Sequence, residues 1–133
     1  MSEPIFLTLA EVIEIHNDQI ERYGGEPGVR DLGLTESAIA MPQASFGGKF
    51  LHESPLEMAA AYAYHLSENQ PFLDGNKRTA LAAALIFLDL NGLTVNDPKG
   101  ALYDAMIKVG TRQWSKARLA EELKRLSRRK ASR

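Results

Sequence analysis

Ala80-Leu81-Ala82-Ala83-Ala84-Leu85-Ile86-Phe87-Leu88, residues 80–88, is an unbroken apolar run of good helix formers with polar residues only at its flanks. The spacing predicts a helix over 76–91, opened by Asn76-Lys77-Arg78 and stopped by Gly92. Apolar on every side, it reads as the central element of a helical bundle. The run is far short of the roughly 20 residues that a membrane span needs.

Immediately upstream, Gln70-Pro71-Phe72-Leu73-Asp74-Gly75-Asn76-Lys77-Arg78 packs an acid, a glycine, an amide and two cations into the start of that helix. Asp74 offers hard oxygen ligands to Mg²⁺, and Gly75 lets the backbone approach an anion. Asn76, Lys77 and Arg78 supply donors where the helix end is already electropositive. Asp-Gly-Asn alone is ordinary turn punctuation. Cations at a helix N-terminus, however, oppose the macrodipole and cost roughly 0.3 kcal/mol or more unless an anion joins them, so a phosphate site explains the pattern better. No side chain in the run accepts a proton near neutral pH, because Gln70 carries an amide.

Working outward, helix signals recur and strand signals are almost absent. A first helix is expected from about Thr8 to Tyr23, with Leu9, Val12, Ile13, His16 and Ile20 on its apolar stripe and Gly24-Gly25-Glu26-Pro27-Gly28 ending it. A second covers Leu32 to Ala40. Residues 43–52, with Phe46 and Phe50 among glycines, read as a flap, either loop or small hairpin, able to cover a site. Ser54-Pro55-Leu56-Glu57 starts a third helix running to Asn69, Asp97-Pro98 starts a fifth that ends at Gly110, and Ser115 caps a sixth. Tyr62, Tyr64, Tyr103 and Trp114 read as core or groove-lining residues. His65 is expected at an interhelical contact and His52 in solvent; neither reads as a base.

The fold class is therefore all-α, a compact bundle of about six helices in one domain over residues 1–133. The formal net charge is -1, but residues 116–133 carry eight basic residues against Glu121 and Glu122, leaving an acidic body of about -7. That balance argues against a general nucleic-acid binder. The basic tail, 127–133, reads as a solvated, frayed helix end. With no cysteine and no basic-then-apolar leader, a soluble cytoplasmic protein is expected.

Residues 70–78 resemble the signature of the Fic/Doc family, His-Pro-Phe-x-Asp-Gly-Asn-Lys-Arg, with Gln70 in place of the histidine. Ile20 to Gly25, Gly28 to Asp31, Pro42 to Gly48, Ala59 to Tyr62 and Phe87 to Gly92 resemble its death-on-curing branch, so the likeness spans about residues 8 to 115. The resemblance implies a Fic fold, the cofactors ATP and Mg²⁺, and group transfer to a protein hydroxyl. Carried over, Asp74 would hold Mg²⁺, Gly75 would give its N–H to phosphate, and Asn76, Lys77 and Arg78 would clamp phosphate oxygens. Gln70 would occupy the base position, and the flap, Phe46, Gly47, Gly48, Lys49, Phe50 and Leu51, would align the target. Lys77 sides with the toxin branch, which transfers phosphate to Ser or Thr, with elongation factor Tu as target.

The alternatives implied are an AMP-transferring enzyme, or an inactive module that binds nucleotide or antitoxin. At position 70 the sequence leaves open a pseudoenzyme, an enzyme with another base, or a change that lets a toxic protein be produced. No self-inhibitory Ser/Thr-x-x-x-Glu-Gly/Asn pattern is found, so inhibition by an antitoxin helix acting in trans, seated in an apolar groove, is expected.

Overall fold

In this computed structural model, which describes residues 3–131, four of the six helices begin where a short polar side chain caps them. Thr8 and Glu11 form a reciprocal capping box at the start of α1 (Leu9–Tyr23), and Asp31 accepts the Leu34 N–H to open α2 (Leu32–Ala40). A 3₁₀ turn over Met41–Gln43 leads into a hairpin, β1 (Ser45–Phe46) and β2 (Lys49–Phe50), turned by Gly47 and Gly48. Ser54, with Pro55 in the first helical position, caps α3 (Pro55–Asn69). There follow α4 (Asn76–Leu90), β3 (Leu93–Val95), α5 (Ala101–Gly110), α6 (Lys116–Leu126, capped by Ser115) and β4 (Ser127–Arg129).

These six helices make an all-α bundle with α3 at its middle, packed on α2, α4, α5 and α6. Met58 through Ala63, with Leu66 and Ser67, are buried on α3, and alanines at 59, 60, 61, 63, 80, 83 and 84 let α3 and α4 approach closely. The expectation that α4 is the centre is thus corrected. Its Ile86 and Leu90 are exposed, because α4 is a side layer whose other neighbours are α1, α5 and β3. Tyr62 fills the core and accepts the Leu7 N–H at 2.9 Å, while burial pushes its phenol up to about 12. On α1 the structure buries Ile15 beside Val12 and His16, and Ile13 only in part.

Two further expectations give way. Helix α5 begins at Ala101, because Asp97 reaches forward to accept the N–H groups of Ala101 and Leu102 and residues 98–100 become its lead-in turn. The basic tail is no frayed helix end over residues 127–129. It pairs antiparallel with β3 in the register Leu93↔Arg129, Thr94↔Arg128, Val95↔Ser127, and Lys130 ion-pairs with Asp89. Residues 132–133 of that tail lie outside the described residues.

Helix α6 docks on α3 through Lys116, whose Nζ donates to Nε2 of His52 at 3.1 Å and of His65 at 3.2 Å. His65 is at an interhelical contact as expected; His52 is not in solvent but half-buried, drawn in by the ammonium. Burial first, then Lys116, holds His65 down to about 4 and lowers His52, with Glu68 and Glu57 opposing the respective shifts. The unfolded chain protonates both near pH 6.5, so as the pH falls from there toward 4 the unfolded state binds more protons and stability is lost. Urea denaturation is expected to give a lower midpoint near pH 5 than near pH 7. A His65→Gln variant, which takes up no proton in that window, should show a smaller drop.

Candidate active site at the start of helix α4

The loop joining α3 to α4 is held from both sides by backbone. Gln70 ends α3 in the left-handed region, φ 47, ψ 55. Arg30 clamps this end: its Nε donates to the Gln70 carbonyl at 2.8 Å and Nη2 to that of Asn69 at 3.1 Å. The N–H groups of Arg30 and Asp31 both reach the Pro71 carbonyl, Leu73 N–H reaches Gly28 O, and Val29 bridges Phe72. Residues 28–31 therefore form a ledge against which 71–73 lie extended.

Beneath the loop sits His16. Its ring stacks on Phe72 at 3.9 Å with 6° between planes, and Nε2 donates to the Asp74 carbonyl at 2.8 Å, which places the ring proton on Nε2. Phe72 is fully buried, with its N–H and carbonyl held by the Asn76 side-chain amide at 3.0 and 3.1 Å. The Asp74 carboxylate accepts the Gly75 N–H through Oδ1 and the Glu26 N–H through Oδ2. Gly25, at φ 119, is required here, since a Cβ would lie 2.9 Å from Asp74 Oδ2.

Above the loop opens a concavity of about 400 Å³ lined by Gln70, Asp74, Gly75, Asn76, Lys77 and Arg78, together with Gly24, Leu73 and Tyr103. Helix α4 has no side-chain cap, so its first N–H groups are free to face a ligand. Lys77 and Arg78 make no ion pair with any carboxylate among the described residues. The Lys77 ammonium lies beside Gly110, and the Arg78 guanidinium carbon sits 4.2 Å from the Tyr23 ring centre and 4.8 Å from that of Tyr103. An uncapped helix N-terminus flanked by two cations without carboxylate partners is a geometry that an anion would complement. Asp74 is the one carboxylate lining it, and no imidazole does.

The six site residues of the 70–78 run that sequence reading selects thus share one concavity. Two of them have partners within the chain. The Asn76 amide is engaged in bracing Phe72, which leaves for a ligand its second amide hydrogen and its backbone N–H; the Gly75 N–H is turned onto Asp74. The flap stands apart: none of Phe46, Gly47, Gly48, Lys49, Phe50 or Leu51 lines the concavity. Phe50 packs on Phe6, which stacks on Phe87 about three turns down α4 from the site. The hairpin leads into the N-terminus of α3, and α3 runs antiparallel to α4, so the hairpin lies at the opposite end. Sequence reading also missed the parts played by His16, Arg30, Glu26 and Tyr23. Arg30 stood in a stretch carrying the family likeness, and His16 on an apolar stripe, but neither position names its partner.

This helical bundle with its loop is matched by the family model described as Fic/DOC family over residues 6–88, and the chain belongs to that family. Among its relatives, it is 37% identical over 116 residues to "Protein kinase doc" of Escherichia phage P1, spanning 87% of this chain and 90% of that one. To "Toxin Doc" of Mycolicibacterium smegmatis (strain ATCC 700084 / mc(2)155) it is 41% identical over 103 residues, 76% of this chain and 79% of that protein.

Proposed function

We propose that this chain is the toxin of a toxin–antitoxin pair, built as a phosphotransferase that moves the γ-phosphoryl group of ATP onto a Ser or Thr hydroxyl of a translation factor such as elongation factor Tu. The observation that carries the reading is the uncapped start of α4 with Lys77 and Arg78 uncompensated beside Asp74. The names of the two relatives, a kinase and a toxin, support it. The donor set fits the group. Lys77 and Arg78 suit phosphate oxygens, and the Asp74 oxygens, each accepting one N–H, keep lone pairs for Mg²⁺, a cation commonly held by one or two carboxylates plus phosphate and water. Bound there, Mg²⁺ would supply charge neutralisation on the phosphates.

In the transfer the hydroxyl oxygen bonds to the γ-phosphorus, the bridge to the β-phosphate breaks, and the hydroxyl proton must leave. Gln70 can orient that hydroxyl but cannot take the proton, so the chemistry of this chain is slow. Phosphoryl transfer rests mainly on positioning and charge, so it is not abolished. Among the described residues no helix is long and apolar enough to cross a membrane. Work in the cytoplasm, on ATP and under an antitoxin helix supplied in trans, belongs to the same proposal.

The test is mass spectrometry of whole lysate and of elongation factor Tu incubated with Mg·ATP and the Gln70→His form. A single phosphate added to a Ser or Thr is the expected product. Addition of AMP would move the protein to nucleotidyl transfer, and an unmodified lysate would favour the second reading, a module that binds nucleotide or antitoxin, which the absence of an imidazole from the concavity supports.

A further inference from the structure

We infer that Tyr23 and Tyr103 are positioning residues for Arg78, two ring faces that fix a phosphate-binding guanidinium while leaving its donors free. The inference rests on the anion-site reading above. Arg78 stands in the first turn of α4, with the ring of Tyr23, the last residue of α1, at 4.2 Å and that of Tyr103, near the start of α5, at 4.8 Å. A guanidinium carries its five donors in its plane. A carboxylate partner would occupy two of them and cancel the charge, whereas an aromatic face holds the cation through its quadrupole and occupies none. Among the described residues Arg78 has no carboxylate partner, so the rings are what orients it.

Neither ring is there to fill the core. Tyr23 is 59% exposed, and Tyr103 is partly exposed at the wall shared by the anion concavity and a neighbouring hollow of about 250 Å³ behind Arg78. A long, flexible side chain whose rotamer is already set loses less entropy on meeting phosphate. The rings therefore act on affinity through Arg78.

The test is calorimetric titration of Mg·ATP, with inorganic pyrophosphate as the simpler probe, into the intact chain and three variants. Tyr23→Leu/Tyr103→Leu, which keeps apolar bulk, is expected to bind roughly 5- to 30-fold more weakly with an unchanged unfolding midpoint. Tyr23→Phe/Tyr103→Phe, which keeps both faces, should bind like the parent, and Arg78→Ala should lose most of the affinity. Parent-like binding by the leucine pair while Arg78→Ala loses it would overturn the clamp and leave the anion site standing. Weak binding by the phenylalanine pair would overturn it too, by assigning the effect to the hydroxyls. Parent-like binding by Arg78→Ala would remove the anion site itself.

Discussion

Gln70→His is expected to raise the single-turnover rate of phosphoryl transfer roughly 10²–10⁴-fold, the usual contribution of a positioned general base. The backbone at position 70 permits the exchange. Its φ of 47 lies in the left-handed region, where histidine is among the tolerated non-glycine residues, and Arg30 grips the carbonyl whatever side chain stands there. The side chain lines the same concavity as Asp74, Lys77 and Arg78, so an imidazole would arrive beside the proposed phosphate position without any loop movement. None of the histidines already in the chain can take this place. His16 lies beneath the loop with Nε2 committed to the Asp74 carbonyl, and His52 and His65 are tied to Lys116 at the α3–α6 contact. The rate of the histidine form should climb with pH through the imidazole range near 6.5, while the glutamine form shows no such step. Equal rates for the two forms, or the same step in both, would mean that the proton leaves by another route.

What could be read from the chain and what could not divides along contact distance. Thr8, Asp31, Ser54 and Ser115 cap helices because each side chain reaches an N–H three residues on, a relation the sequence itself spells out. The candidate anion site was legible for the same reason: its two cations, its acid and its glycine are neighbours in the chain. The supports beneath it were not. His16 meets Asp74 across 58 residues, Arg30 meets Gln70 across 40, and no local period marks either pairing. The β3–β4 ribbon escaped notice because a three-residue strand carries no alternation to read, and its partner waits at the far end of the chain. The flap was legible as a loop or small hairpin but not its neighbours, since a turn signal says how a segment folds and nothing about which end of the bundle it joins.

Phe72→Ala is expected to lower unfolding free energy by about 3–5 kcal/mol, the usual range for a buried phenylalanine truncated to alanine. That is a large share of the roughly 5–15 kcal/mol that holds a domain of this kind. The residue is placed to make the effect local as well as global. Its ring is the face on which His16 stacks at 3.9 Å, and its N–H and carbonyl are the two groups that Asn76 grips. Removing the ring leaves a void under the loop and frees the imidazole that holds the Asp74 carbonyl, so Mg·ATP affinity should fall further than stability alone explains. His16→Ala is expected to cost less, about 1–3 kcal/mol, mainly by leaving that carbonyl without its donor. Because the two side chains share one contact, the double variant should cost less than the sum of the single ones. Urea denaturation of the four proteins closes the cycle. Strict additivity would show that the ring stack contributes nothing, and the loop would then be held by Arg30 and the 28–31 ledge alone.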